Sequence, residues 1–181
     1  LRPNGEPASV AETMAEVLLA GGRYREAQAW LEQRGSENLR HWLVLADIAE
    51  PGRSGPRSAH LAATEQLAVH GKLTSDLLHR LATVLDALDV QVPIPLWEAA
   101  SRTPQPVDGH LPETGILSQL QDASKKKEVG RTILLVMRTI GPGGAEGAHM
   151  IALGDGIRAL KRAGLEREAR RLGFEALFAA W

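Results

Sequence analysis

Apolar side chains recur every three or four residues along nearly the whole chain, from Ala11 to Ala180. That spacing lines one face of an α-helix and gives a β-strand no consistent side. Aromatic residues make up only 4% of the chain, and the apolar content is mostly Ala and Leu, the strongest apolar helix formers. Only Thr132–Met137 has the look of a buried strand. It has no β-branched run to pair with, and a lone strand makes no sheet. Ile133, Val136, Met137 and Ile140 also share one helical face. The expected fold is all-α, with packed antiparallel helical hairpins arranged as an α-solenoid or an irregular bundle.

Stop and start signals divide the pattern into eight to ten expected helices. Ser9 and Glu12 read as a capping box for the first, and Gly21-Gly22 ends it. Tyr24 to Gln33 is the second, with Tyr24, Ala27, Trp30 and Leu31 inward. Ser36 caps a third, which carries Leu39, Trp42, Leu43, Leu45, Ala46 and Ile48. Ser58 to His70 follows. Thr74 or Ser75 caps the most regular amphipathic helix, with Leu77, Leu78, Leu81, Val84, Leu85 and Leu88 inward. Half of the ten prolines lie between Val92 and Pro112, where a short helix is expected to start near Pro95. Beyond them, helices are expected over Glu113–Ala123, Ser124–Thr139, Ala145–Ala163 and Leu165–Trp181.

The Pro-rich loop, residues 103–112, separates an acidic part, 1–102, from a basic part, 113–181. Residues 1–120 hold 10 Lys+Arg and 15 Asp+Glu, net −5, whereas residues 121–181 hold 11 and 7, net +4. Lys125-Lys126-Lys127 falls at an expected helix start, where cations oppose the helix dipole. Arg167, Arg170 and Arg171 share a face, which suits an acidic protein partner or, more simply, a solvated surface balanced by Glu166 and Glu168. Without stacking aromatics or a recognition motif, nucleic acid is an unlikely target. Of the four tryptophans, Trp97, beside the Pro-rich loop, is the candidate for a partly exposed contact.

Two segments repeat a theme: Leu18-Leu-Ala-Gly-Gly-Arg-Tyr-Arg-Glu-Ala27 and Leu160-Lys-Arg-Ala-Gly-Leu-Glu-Arg-Glu-Ala169. In each, a Gly at a helix end precedes by five residues an Ala inside the next helix. This resembles the turn of tetratricopeptide-like helix pairs. Ala15, Leu18, Tyr24 and Ala27 fall on that family's packing positions in the first copy, and Leu153, Ile157, Leu160 and Ala169 in the second. Arg34 and Gly173 depart from it, and the 142 residues between Gly22 and Gly164 are not a multiple of the 34-residue repeat. The resemblance implies protein or peptide binding.

Catalytic signatures are sparse. The chain has no cysteine, which removes thiol catalysis, disulfides and Cys-ligated metal. Glu146 and His149 form one Glu-x-x-His pair, but a di-iron bundle needs two. His41, His60, His70, His79, His110 and His149 are scattered, with Asp76 one turn from His79. Ile140-Gly-Pro-Gly-Gly-Ala-Glu-Gly147 lacks the dinucleotide fingerprint and a Walker lysine, so it reads as a flexible turn rather than an anion cradle. No cofactor or metal is expected. The expected function is a non-catalytic scaffold or adaptor. The alternative is an enzyme or small-ligand binder inside the helical array, for example a lytic enzyme using Glu65 or Glu98. Self-association through Leu177, Phe178 and Trp181 is a third expectation. No apolar run is long enough to span a bilayer. The chain begins at Leu1 rather than Met, as a processed or trimmed chain does. Its composition resembles a high-GC bacterium, in either cytoplasm or periplasm.

Overall fold

The structure, a computed structural model, describes residues 3, 5, 7–32, 42–50 and 55–180. Eleven α-helices and no strand occur among these residues. They divide into two units, Leu1–Leu67 and Ala68–Trp181. The Pro-rich loop lies within the second. Ser36, Leu39, His41, Arg34 and Trp181 fall outside the described residues.

The first unit contains α1 (Ala8–Ala20), α2 (Tyr24–Leu31), α3 (Trp42–Ala49) and most of α4 (Ser58–Val69). Ala11, Ala15, Leu18 and Leu19 of α1 meet Ala27, Trp30 and Leu31 of α2, all buried. Helix α3 is buried from Leu43 to Ala49, as an almost wholly apolar helix must be. The expected Ser9 cap is not used. Pro7 occupies that position in an extended conformation, so Ser9 lies inside the helix and its carbonyl accepts from Thr13 Oγ1.

The second unit contains α5 (Ser75–Ala87), α6 (Ile94–Ser101), α7 (Thr114–Lys125), α8 (Val129–Ile140), α9 (Gly144–Gly147), α10 (Met150–Arg162) and α11 (Glu166–Ala180). Helices α5 and α10 pack on each other at its centre, with α6 and α11 against α5, and α7 and α8 against α10. Thr74 caps α5, its hydroxyl accepting from Leu77 N. Gly173 is buried where α11 crosses α5, and a Cβ there would lie 2.7 Å from Val84 Cγ1. The position that departs from the repeat-like pattern is therefore a close helix crossing that admits no side chain.

Four helix ends close with the same turn. The residues Gly22, Asp89, Lys127 and Gly164 are left-handed, and each follows the i→i−3 and next-residue i→i−5 hydrogen-bond pattern of a Schellman motif. The two segments with matching sequences are the glycine versions. The two helices expected over Glu113–Ala123 and Ser124–Thr139 are both present, with the boundary between them shifted: α7 continues to Lys125, the chain turns at Lys127, and α8 starts at Val129. The lysine run thus sits at a helix C-terminus, where cations are favoured. Lys126 donates to Asp122 Oδ2 at 2.9 Å, which lowers the Asp122 pKa and raises that of Lys126.

The inner face of α8 consists of Thr132, Leu135, Val136 and Thr139. The hydroxyls of Thr132 and Thr139 are buried without a hydrogen-bond partner. A buried unsatisfied polar group costs about 1–3 kcal/mol. Thr139→Val, which keeps the shape, is expected to raise unfolding stability by about 1 kcal/mol in a denaturant titration. A loss of stability would show that the hydroxyl is bonded.

Candidate functional site

At one end of the second unit, the N-terminal turns of α5 hold the Pro-rich loop and the Gly-rich turn together. Ser75 Oγ donates to Pro104 O at 2.6 Å, and His79 Nε2 lies 3.2 Å from Thr103 Oγ1. Arg80, buried, donates to Asp76 Oδ2 at 2.7 Å and to the carbonyls of Ala145 and Glu146 at 3.2 and 2.9 Å. Asp76 and His79, one turn apart, therefore serve different partners. Across the loop, His110 N donates to Gly147 O at 2.8 Å, and His149 N donates to His110 O at 3.1 Å. This bridge breaks the helix expected over Ala145–Ala163. Ala148 is extended, and His149 caps α10 by accepting from Ile151 N at its Nδ1. Glu146 and His149 thus do not share a helix. The amides of Gly144, Gly147, His149 and Ile151 all bond within the protein, as a structural turn requires.

The sequence-derived contact residues separate. Trp97 is 47% exposed and lies one turn from Ile94, which is 72% exposed. Together they form a small apolar patch on α6. The three arginines do not form one exposed stripe. Arg170 is buried, its Nε 2.9 Å from Glu166 Oε1. Arg171 is exposed and donates to Glu175 at 2.9 Å, and Arg167 is exposed. Phe178, half-buried, stacks on Phe174 within α11, and Leu177 is buried.

Among the described residues, α8 carries four exposed large apolar side chains, and they coincide only in part with the helical face that residue spacing pointed to. Of Ile133, Val136, Met137 and Ile140, only Val136 is buried. Val129, Ile133, Leu134 and Met137 are 44%, 38%, 64% and 61% exposed. At about 3.6 residues per turn, the apolar centre of α8 and its buried centre lie about a quarter turn apart. The reason is that α8 fits against α7 and α10 through its Thr132–Thr139 side, leaving the adjoining apolar quarter bare. A depression of about 510 Å³ there is lined by Arg131, Leu134, Leu135, Met137 and Arg138. Arg131 pairs with Glu128 at 3.0 Å, and Arg138 has no ion-pair partner among the described residues.

A buried carboxylate organises the first unit. Asp47 of α3 is fully buried and accepts from Gln28 Nε2 of α2 at 3.0 Å, from Arg57 N at 2.8 Å and from His60 Nδ1 at 2.6 Å. The Arg57 guanidinium lies 3.6 Å from its other oxygen. Asp47 thus caps the start of α4 from a neighbouring helix and fixes the His60 ring through Nδ1. Nothing in the residue spacing singled out this pair. Glu65 is half-buried, and Glu98 is exposed beside Arg102. Among the described residues, no group of three or more His, Asp or Glu side chains is arranged to hold a metal, and no helix is long and apolar enough to cross a membrane. Comparison with family models, curated proteins and solved structures returns no match.

Proposed function

We propose that this chain is a non-catalytic helical module that binds a protein or peptide partner along an exposed helix face. The bare apolar quarter of α8 carries this reading, since large apolar side chains left together on a helix mark an interaction surface. Trp97 with Ile94, and Arg167 with Arg171, are subsidiary contacts. The tetratricopeptide-like turns at Leu18–Ala27 and Leu160–Ala169 point the same way. The test is affinity capture from the source cell with wild type and with Leu134→Asp/Met137→Asp. Both substitutions fall on exposed positions, so helicity and melting temperature are expected to stay within experimental error of wild type. Partner recovery is expected to fall about tenfold or more, as when a central apolar contact is lost. Equal recovery by the variant would overturn the reading.

The Asp47–His60 pair favours a second reading, a small-ligand or hydrolytic site in the first unit. A carboxylate that orients an imidazole is a common part of general-base machinery. Turnover of a defined substrate that is lost in His60→Asn and untouched by the α8 variant would select it.

A further inference from the structure

We propose that the bare face of α8 docks an acidic amphipathic helix; this rests on the partner-binding reading above and names the partner's chemistry. The strip formed by Val129, Ile133, Leu134 and Met137 spans a little over two turns, at roughly 3.6 residues per turn, which matches the short apolar seam of one docked helix. Its border is basic. Between Lys125 and Arg138 the chain carries five cations and one carboxylate, Glu128. Arg138, Lys125 and Lys127 have no ion-pair partner among the described residues. Arg131 and Arg138 line the depression together with Leu134 and Met137, so carboxylates flanking an inserted apolar side chain would meet them directly.

Charge also argues against the other occupants. In an antiparallel pairing of two α8 helices about their midpoint, Arg131 meets Arg138 of the second copy, and in a parallel pairing each arginine meets its own equivalent. Both arrangements oppose like charges. A lipid surface is flat and draws on interfacial aromatic anchors, whereas this strip has no aromatic residue and adjoins a depression through Leu134 and Met137. A nucleic-acid backbone has no use for the apolar strip.

The test uses two probe peptides of roughly 20 residues, long enough to form a helix. Both carry the same Leu seam, flanked by Glu in one and by Lys in the other, and binding to the full chain is followed by fluorescence anisotropy. The Glu peptide is expected to bind at least about tenfold tighter than the Lys peptide, and this margin is expected to shrink as salt rises. Arg131→Glu/Arg138→Glu is expected to reverse the preference while circular dichroism stays unchanged. Equal affinity for the two peptides, or no binding of either, would overturn the acidic-helix partner. So would concentration-dependent dimerisation abolished by Met137→Asp, or co-sedimentation with anionic vesicles abolished by the same change. If peptide preference fails while the capture experiment still depends on Leu134 and Met137, the binding face stands and only its partner is wrong. If capture is also unaffected, both readings fall.

Discussion

Asp47→Ala is expected to destabilise the first unit by about 3–5 kcal/mol, the usual cost of breaking a buried, hydrogen-bonded charge cluster from one side. The substitution strands Gln28 Nε2, Arg57 N and His60 Nδ1, which now converge on a carboxylate with no access to water. It also leaves a void between three helices. Asp47→Asn is expected to cost less, because one acceptor oxygen remains. Urea unfolding followed by tryptophan fluorescence checks this, with Trp97→Phe/Trp181→Phe as the background so that Trp30 and Trp42 report on the first unit. A change below about 1 kcal/mol for the alanine variant would mean that the donors find other partners.

Gly141→Ala is expected to cost about 3 kcal/mol and to loosen the end of the second unit. Gly141 has φ 78° and ψ −175°, a region only glycine occupies without strain, worth about 1–3 kcal/mol for another residue. A Cβ there would also press into the His110 ring, an overpacking worth a further 1–3 kcal/mol or so. His110→Ala removes the ring, so the double variant is expected to recover about 1 kcal/mol or more relative to additivity in a double-mutant cycle. Strict additivity would mean that the ring and the glycine do not meet. Gly109, where a Cβ would lie 2.7 Å from His149 N, marks the other side of the same close approach.

Helix positions were legible because burial repeats with the helical period, and the caps at Thr74, Gly22 and Gly164 follow local rules. Asp89 and Lys127 make the same turn without glycine, so residue type did not mark where the break between α7 and α8 falls, a few residues beyond the expected one. Spacing identified the apolar face of α8 but not the direction in which it packs, because that depends on how α7 and α10 fit its threonine side. Arg170 was misread for a related reason. Its i, i+3, i+4 spacing with Arg167 and Arg171 defines a face, yet a guanidinium paired with Glu166 can sit at the buried margin of that face. The Asp47 cluster joins residues from three helices, separated by 19, 10 and 13 positions from Gln28, Arg57 and His60, and no local pattern encodes it.

The two hydrogen bonds that tie His110 to Gly147 and His149 make everything between them a closed handle. The hairpin of α7 and α8 begins and ends at this one root, itself gripped by Arg80, while both helices lie along α10. A load on α8 is therefore shared between its packing on α10 and this joint on α5, and the hairpin comes away only when both give.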